Sequence, residues 1–395
     1  MRHGGLVKAG DRIADCESGP LTGFTIGITA ARRANEFAAL LERRGAQVEH
    51  APAIEIIPLA DDAELRSVTD QIIVNAPEIV VATTGIGFRG WMEAAEDWGV
   101  AERLVAALEP TRLLARGPKA KGAIRAAGLR EEWSPPNESS SEVLEHLLDE
   151  GVEGTRVGVQ LHGATTEWEP LPDFCEVLRE AGAEVLPIPV YRWLPPQDTT
   201  AMDQMISAIV GGEMDAVSFT SAPAVASMLG RAQDTGRLDA LLDALRTDVH
   251  VMCVGSVTAG PLAALRVPTS RPNRFRLGAL ARHIAEELPR RVPTLRVAGH
   301  DMSIRSRSVM VDGELRPLSP AGLTLLKALA RRPGRVVSRH ALLTELPGGG
   351  GDTHAVETAM ARLRAGLGDP RMIQTVVKRG YRLSVDVEYE EGENA

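Results

Sequence analysis

Short apolar runs alternate with helical stretches along residues 21–290, and this alternation predicts the architecture of the larger part of the chain. The runs of strand length include residues 25–29, 78–82 and 112–115. Residues 36–44 have a helical spacing that ends at Gly45, and the proline-bounded residues 52–58 are predicted to form an extended connection. Strands that alternate with helices favour an α/β fold in which helices cover both faces of a parallel sheet.

An internal repeat divides this region into two similar halves. At an offset of 137 residues, Phe37 matches Phe174 and Gly45 matches Gly182. The other pairs at this offset are Leu41 and Leu178, Ala46 and Ala183, Val48 and Val185, Pro52 and Pro189, Pro58 and Pro195, and Thr83 and Thr220. The period is too long for a solenoid, so we predict two similar lobes that face one cleft.

Small polar residues follow the predicted strands at the point where each strand ends. Open parallel sheets bind ligands beyond the carboxyl ends of their strands, where hydroxyls and backbone N–H groups suit carboxylates or phosphates. The candidate ligand-binding residues are Arg32, Thr83, Thr84, Gly85, Gly117, Lys119, His162, Gly163, Thr220, Ser221, Ser256 and Thr258. Residues 110–130 add six basic side chains and no acidic one, which indicates either an anion-binding surface or a solvated helix face.

The pattern changes over residues 318–383, where it predicts three helices and a β-hairpin. Residues 318–320 lead into an apolar helical stretch, and Ser338 is placed to cap a second helix. A third helix is predicted over residues 353–367, after a glycine-rich loop. Two β-rich runs around a basic turn close the segment at residues 373–383.

Charge is distributed unevenly along the chain, whose formal net charge is −9. Residues 293–386 carry 15 Lys and Arg against 8 Asp and Glu, whereas residues 1–292 carry 29 against 41. An acidic chain with one basic module indicates a localised phosphate-binding surface. A solvated basic face without a partner is the alternative.

The cysteine, histidine and apolar content argues against a metal-binding, secreted or membrane protein. Three cysteines without a CxxC pair and nine histidines without ligand spacing predict no metal site and a reducing compartment. The N-terminus lacks the features of a signal peptide, and no apolar run approaches the roughly 18 residues of a membrane span. We therefore expect a cytoplasmic protein without a membrane partner, with a flexible segment at residues 1–20 and an acidic tail at residues 386–395.

The C-terminal pattern resembles the winged-helix DNA-binding domain of OmpR/PhoB-type response regulators over residues 293–385. The motifs that carry the resemblance are Asp312-Gly313, Leu-Ser-Pro at 318–320, RPGRVVSR at 332–339, RLR at 362–364, and TV…GYRL at 375–383. The chain departs from the family at Gly322, where an acidic residue is usual, at Gly366, where a lysine is usual, and at Lys378-Arg379, where a glycine is common.

The resemblance implies a recognition helix that enters the major groove of double-stranded DNA, and a wing that reaches phosphates or the minor groove. The candidate DNA contacts are Thr353, His354, Thr358, Arg362 and Arg364 on the helix, and Lys378 and Arg379 on the wing. One such domain reads little DNA, so a homodimer on direct repeats is expected, with RNA polymerase or a second transcription factor as a further partner.

Residues 20–288 resemble uroporphyrinogen-III synthase. The segments that carry this resemblance are PAIEIIPL, PVYRW, ATTGIG, FTSAPAV, RGPKA and VGSVTA. The family has two flavodoxin-like parallel-sheet lobes joined by two extended crossovers. Lobe one is expected at residues 21–52 and 197–288, lobe two at residues 58–188, and the bilobal domain over 21–288 as a whole.

The family cyclises hydroxymethylbilane, with inversion of one pyrrole ring and loss of water, and uses no metal or cofactor. Its crossover tyrosine corresponds to Tyr191, and the hydroxyl residues of its second repeat correspond to Thr220, Ser221 and Thr258. A turn threonine of the family is replaced by Ala120. Because catalysis in this family depends mainly on positioning and backbone hydrogen bonds, the loss weakens a prediction of enzyme activity without excluding it.

Together these features predict a DNA-binding transcriptional regulator whose synthase-like lobes bind a tetrapyrrole or another polyanionic small molecule. The alternative is an active uroporphyrinogen-III synthase with a DNA-binding appendage. Since sirohaem, the cofactor of nitrite and sulfite reductases, derives from uroporphyrinogen III, the regulated genes are expected to serve nitrate or nitrite assimilation. The strand ends carry Thr, Ser and Gly instead of a phosphorylatable Asp, which disfavours control by phospho-relay.

Overall fold

A computed structural model of the protein describes residues 19–58, 63–136, 138–161, 173–346 and 353–386. The first half of the described chain contains β1 (Thr25–Ile28), α1 (Ala34–Glu42), β2 (Gln47–His50), β3 (Glu55–Pro58), α2 (Ala63–Val74), β4 (Ile79–Ala82), α3 (Gly85–Asp97), α4 (Ala101–Leu108), β5 (Arg112–Ala115), α5 (Pro118–Ala126), α6 (Ser140–Glu150), β6 (Arg156–Leu161), α7 (Phe174–Glu180) and β7 (Glu184–Pro189). The chain then continues with β8 (Tyr191–Leu194), α8 (Thr200–Val210), β9 (Ala216–Phe219), α9 (Ala222–Asp234), α10 (Leu238–Thr247), β10 (His250–Cys253), α11 (Ser256–Ala264), β11 (Thr269–Ser270) and α12 (Leu277–Arg291). The flexible segment predicted at residues 1–20 lies outside the described residues up to residue 18, as do the acidic tail after residue 386 and the glycine-rich loop.

Two parallel sheets form the two lobes, as predicted. Lobe one contains a five-stranded sheet in the order β11-β10-β9-β1-β2, and lobe two contains a four-stranded sheet in the order β5-β4-β6-β7. The central strands β1, β4 and β9 are buried along their whole length, because helices cover both faces of each sheet. Strands β1 and β2 open the chain, and β9 to β11 complete the same sheet after lobe two has been formed.

The two crossings between the lobes pair with each other. Strands β3 and β8 form an antiparallel ribbon in which Glu55 lies opposite Leu194 and Pro58 lies opposite Tyr191. The extended connection predicted for residues 52–58 is therefore a strand from Glu55 onward. Since each lobe has its own core of buried side chains, the ribbon is the covalent connection between two separately packed bodies.

The C-terminal domain begins two residues after α12. Its elements are β12 (Thr294–Val297), β13 (His300–Ile304), β14 (Val309–Val311), β15 (Glu314–Arg316), α13 (Pro320–Ala330), α14 (Arg339–Glu345), α15 (Thr353–Leu367), a 3-10 helix (Pro370–Met372), β16 (Ile373–Val376) and β17 (Gly380–Leu383). Strands β12 to β15 form an antiparallel sheet, which sequence reasoning did not resolve into strands. Two of its three hairpins turn at Ala298-Gly299 and Asp312-Gly313, where both residues of each pair have positive φ, as tight hairpins require.

The three predicted helices and the terminal hairpin of this domain are confirmed. The hydroxyl of Ser338 accepts a hydrogen bond from the Ala341 N–H at 3.2 Å and caps α14, and Ser319 caps α13 in the same way. Gly366 of α15 packs directly against the Leu318 side chain, since a Cβ at position 366 would lie 2.6 Å from it. The departure from the family at this position is therefore accommodated by packing.

No helix within the described ranges has the length and apolar character needed to cross a bilayer.

Candidate functional site

The exposed face of α15 brings together three of the predicted DNA-contacting residues. Val356, Met360, Leu363 and Leu367 are buried along the opposite face and hold the helix in the domain core. His354, Thr358 and Arg362 follow each other at intervals of four residues, so they form one exposed stripe. The side chain of Thr353 lies outside the described residues.

Arg364 is directed to the wing instead of to solvent. Its Nε and Nη2 donate to the Ile373 carbonyl oxygen at 3.0 and 2.8 Å, and Nη2 also donates to the Thr375 hydroxyl at 2.8 Å. The guanidinium lies 5.6 Å from the centroid of the Tyr381 ring. We predicted Arg364 as a DNA contact, but these bonds use it to fasten the recognition helix to the wing.

The wing presents the two predicted basic residues at its tip. Lys378 and Arg379 are exposed in the turn between β16 and β17, where Lys378 has a φ of 61°. Gly380 follows with a φ of 140°, and a Cβ there would lie 1.9 Å from the Val337 carbonyl oxygen. This close approach allows Tyr381 and Val337 to exchange two backbone hydrogen bonds, which set the wing against the start of α14.

Arg339 is a member of this surface that sequence reasoning missed. It stands one residue after the cap of α14, pairs with Glu357 of α15 at 3.4 Å, and lies 5.2 Å from the Tyr381 ring centroid. Its position inside the RPGRVVSR motif was visible in the sequence, but its proximity to α15 was not. It connects the two helices and the wing at one point.

The predicted polar residues of lobe two lie at the carboxyl ends of the neighbouring strands β4 and β6. The chain continues from β4 to β5 on one side of this pair and from β6 to β7 on the other side. Open parallel sheets form their ligand-binding crevice at such a point. The buried hydroxyl of Thr83 donates to the Gln160 carbonyl oxygen at 2.8 Å. The hydroxyl of Thr84 accepts from the Gly87 N–H at 3.1 Å and from Gln160 Nε2 at 2.9 Å. Both threonines therefore hold the protein together at this edge.

The starts of α3 and α5 lie side by side at the same edge. A Cβ on Gly85 would lie 2.2 Å from the Lys119 carbonyl oxygen, so only glycine fits there. Gly117 precedes α5 in an extended conformation, and Lys119 is exposed in the first turn of that helix. Ala120 is buried, so the position of the missing family threonine is filled by core packing.

Part of the basic run at residues 110–130 is already paired with glutamates that lie outside the run. Arg112 pairs with Glu132 at 2.7 Å and with Glu150 at 3.0 Å. Arg125 pairs with Glu131 at 2.5 Å, and this bond lowers the pKa of the Glu131 carboxyl. The observed pairing favours the interpretation of this run as a surface network over that of an anion-binding cluster.

Lobe one leaves more of its edge exposed. Thr220 and Ser221 are half-buried, and Ser221 precedes α9 without making a side-chain capping bond. Ser256 is exposed at the start of α11, whereas Thr258 is buried. Arg32 is exposed in the loop after β1.

An exposed basic and apolar loop at this edge was missed by sequence reasoning. Residues 271–276 contain three exposed arginines and Phe275, whose ring is 60% exposed and lies within 3.1 Å of the Cβ position at Gly255. Val257, at the start of α11, is 62% exposed. The run RPNRFR was the available signal, although its place beside α11 depends on tertiary structure.

The side chains of three predicted residues of the synthase-like lobes lie outside the described part of the structure. His162 and Gly163 lie outside the described residues. Tyr191 begins β8, but the structure describes its backbone only. Across the described ranges, no three His, Cys, Asp or Glu side chains are grouped so as to hold a metal ion.

Family models match both parts of the chain. Residues 35–282 match the model described as uroporphyrinogen-III synthase HemD, and residues 313–383 match the model described as transcriptional regulatory protein, C terminal. These matches confirm both resemblances.

Individual relatives agree with this division. The structure of a mutant uroporphyrinogen III synthase from Thermus thermophilus is 29% identical with a TM-score of 0.57, over 68% of this chain and 99% of that one. The Bacillus subtilis protein YjjA is 27% identical over 270 residues, which are 67% of this chain and 96% of that protein. The transcriptional regulatory protein CutR of Streptomyces coelicolor is 36% identical over 110 residues, which are 27% of this chain and 49% of that protein.

Proposed function

Because the chain belongs to the uroporphyrinogen-III synthase family and also carries a response-regulator-type DNA-binding domain, we propose that it is a transcriptional regulator whose cleft binds a tetrapyrrole or another polyanionic small molecule. The observation that supports this most directly is the exposed stripe of His354, Thr358 and Arg362 beside a basic wing. A helix with one apolar face and one exposed polar face of this kind suits the major groove of DNA.

Each exposed residue has a different role in the proposal. Arg362 reads a base edge, because its guanidinium can donate two parallel hydrogen bonds to guanine. Lys378 and Arg379 bind phosphates or enter the minor groove, and they supply affinity without sequence information. Two copies of the chain bind direct repeats, and RNA polymerase or another transcription factor is the further protein partner. A cytoplasmic location follows from the DNA target.

The DNA half of the proposal is tested by fluorescence anisotropy with fragments selected from sheared genomic DNA and with scrambled versions of them. Arg362→Ala is expected to reduce discrimination between the two by about 1–3 kcal/mol. Arg379→Ala is expected to weaken binding to all sequences and to reduce the salt slope by about one phosphate. Arg66→Ala is the control, since Arg66 lies on lobe two and pairs with Asp70.

Equal affinity of the wild-type protein for selected and scrambled DNA at moderate salt would contradict specific regulation. The proposed regulon, nitrate or nitrite assimilation, is tested separately by growth of a deletion strain on nitrate. An unchanged growth rate and unchanged transcripts would remove that part of the proposal and leave DNA binding intact.

A second candidate function is synthase activity, favoured by the match to a uroporphyrinogen III synthase structure over nearly its whole length. A coupled assay with hydroxymethylbilane that separates type III from type I product tests it. Loss of the type III product in Tyr191→Phe, with DNA binding retained, would support the crossover tyrosine as a participant. Absence of type III product from the wild-type protein would end this candidate.

A further inference from the structure

The DNA-binding domain contacts lobe one at the edge of the sheet opposite the cleft. Thr25 begins β1 and Asp215 directly precedes β9, so both lie at the amino ends of the parallel strands. The facing segment is the loop between β13 and β14, residues 305–308. Only residues 292 and 293 separate α12 from β12, and Val292 packs against the core of lobe one.

A buried carboxylate forms the centre of this contact. Asp215 is 7% exposed, and its Oδ2 accepts from the Thr25 N–H at 2.7 Å within lobe one. From the other domain, the Ser306 N–H donates to Oδ1 at 2.7 Å and the Ser306 hydroxyl donates to Oδ2 at 2.6 Å. Two of the three hydrogen bonds to this carboxylate therefore cross the domain boundary.

A lysine of the DNA-binding domain adds a second set of crossing bonds. The Lys327 ammonium group, on α13, donates to the Gly212 carbonyl oxygen of lobe one at 2.9 Å and to the Ser306 carbonyl oxygen at 2.5 Å. Burial lowers the pKa of Lys327, whereas the nearby Asp215 raises it. The lysine thus bonds both to the loop at residues 305–308 in its own domain and to the backbone of lobe one.

Ion pairs surround the buried centre. Arg307 pairs with Glu49 and, at 2.8 Å, with Glu213, and both acidic partners belong to lobe one. The Ser308 hydroxyl donates to the Gly23 carbonyl oxygen at 2.8 Å. These outer contacts are partly exposed, so salt screens them more than it screens Asp215.

An aromatic contact completes the boundary. The Arg305 guanidinium lies 3.9 Å from the centroid of the Phe24 ring. Gly23 has a φ of 80°, and a Cβ there would lie 2.7 Å from the Ser308 hydroxyl. The two segments can therefore approach this closely only because position 23 is glycine.

Separation of the two domains would be unfavourable for a specific reason. A buried carboxylate is costly unless hydrogen bonds and positive charges compensate it. Burial raises the pKa of Asp215, and the hydrogen bonds from Ser306 and Thr25 oppose that rise. Without the Ser306 donors, the carboxylate would keep a single hydrogen bond among those described.

We propose that Asp215 and Ser306 latch the DNA-binding domain to lobe one, so that these two parts form one rigid body and lobe two is the part that moves against it. Domains that meet through a small polar interface normally move relative to one another. Here the compensated buried carboxylate and the two-residue linker oppose that motion. The inference does not depend on the proposed function, because the latch exists without DNA or ligand.

Hydrogen–deuterium exchange of the full chain, without DNA or ligand, tests the latch. Peptides that cover residues 305–308 and 23–25 are expected to be protected in the wild-type protein, because the amides of Ser306 and Thr25 donate to Asp215. Ser306→Ala and Arg307→Ala are each expected to raise exchange of residues 305–308 at least about tenfold, by more frequent opening of the interface. Exchange of the core of α15 is expected to stay unchanged, which excludes unfolding of the domain.

Arg66→Ala is the matched control, because it removes one arginine of an ion pair on lobe two. It is expected to leave exchange of residues 305–308 unchanged. Wild-type exchange of that peptide at the rate of an unstructured chain would overturn the latch. Unchanged exchange in both interface variants would overturn it equally.

Distance measurements between spin labels test the rigid body directly. Labels are introduced by Asp239→Cys on lobe one, Glu102→Cys on lobe two and His340→Cys on α14, in a background without Cys16. The distribution between positions 239 and 340 is expected to be narrow and to broaden in Arg307→Ala. The distribution between positions 102 and 340 is expected to be broader in the wild-type protein. Equal widths for the two pairs would overturn the proposal.

Discussion

The two lobes repeat one unit, yet they differ at the carboxyl ends of their strands, where the following helices begin. Thr84 of lobe two corresponds to Ser221 of lobe one at the repeat offset, and each precedes a helix that starts after a buried strand. The hydroxyl of Thr84 accepts a bond from Gln160 Nε2 and caps α3, whereas Ser221 makes no such side-chain bond. The pairing of β6 with β4 and of β1 with β9 makes Thr29 the counterpart of Gln160.

The shorter side chain explains the difference. The buried Thr29 hydroxyl donates to the Ser218 carbonyl oxygen at 3.0 Å within the sheet and does not extend to the helix that follows. In lobe two a side-chain amide therefore bridges the strand end to the start of α3, whereas in lobe one the Ser221 hydroxyl before α9 makes no capping bond. One pair of equivalent strand-end hydroxyls therefore differs, because Thr84 is held by hydrogen bonds within lobe two whereas Ser221 makes no capping bond in lobe one.

The largest effect is expected where lobe two is packed most tightly. Gly85→Ala puts a Cβ 2.2 Å from the Lys119 carbonyl oxygen and is expected to cost about 2–3 kcal/mol of the free energy of unfolding, measured by urea denaturation. Lobe one already has Ala222 at the corresponding position. Gly122→Ala, where nothing lies within 4 Å, is the control and is expected to be neutral or stabilising. Similar stabilities of the two variants would contradict the difference in packing.

Removal of the amide that closes lobe two is the next test. Gln160→Leu eliminates the hydrogen bonds from Nε2 to the Thr84 hydroxyl and carbonyl oxygens, at 2.9 and 3.2 Å. We expect a loss of about 1–2 kcal/mol in the free energy of unfolding and faster exchange of the Gly87 amide. Gln71→Leu, on the exposed face of α2, serves as the control. A Gln160→Leu protein as stable as this control would mean that the amide does not secure the crevice.

Paired alanine substitutions compare the strand ends of the two lobes at equivalent positions. Thr84→Ala removes a helix cap and is expected to cost about 1 kcal/mol of stability. Ser221→Ala is expected to change stability by less than about 0.5 kcal/mol and instead to weaken binding of uroporphyrinogen III by about 0.5–1.5 kcal/mol. Chemical denaturation and titration calorimetry measure the two quantities. Equal losses of stability would remove the distinction between the lobes.

The smallest effect concerns pH. Hydrogen bonds from Arg125 and Arg231 lower the pKa values of Glu131 in lobe two and Asp203 in lobe one. A lowered folded-state pKa contributes stability above the unfolded value of about 4, and this contribution is lost as the pH falls through the folded value. Glu131→Gln and Asp203→Asn are each expected to flatten the acid limb of stability by about 0.2–1 kcal/mol. Glu102→Gln is the control, and an acid limb unchanged in both variants would contradict the role of these pairs.

The sequence predicted the elements of this protein better than it predicted the state of its side chains. The repeat predicted two lobes because helix and strand periods and their glycine stops are local properties. Ser338 was predicted as a cap because the capping bond spans only three residues. The two parallel sheets followed from the alternation of strands and helices.

Side chains whose partners come from distant segments could not be assigned in the same way. Arg364 occupies a family DNA-contact motif, but Ile373 and Thr375 accept its hydrogen bonds after the chain turns back. The basic run at residues 110–130 contains no acidic residue, yet Glu131, Glu132 and Glu150 neutralise part of it from outside. The contact between Asp215 and Ser306 joins residues 91 positions apart and leaves no local pattern.

Helix α12 has a consequence for how a signal could travel. It starts at Leu277, one residue after the exposed arginine-rich loop, and ends at Arg291, two residues before the first strand of the DNA-binding domain. At 1.5 Å per residue it is a rod of about 22 Å. Because its buried face belongs to the core of lobe one, this rod would stay fixed to that lobe and to the latched DNA-binding domain when a molecule bound in the cleft. Under the proposed latch, occupancy of the cleft would therefore be transmitted as a change in where lobe two stands beside the duplex.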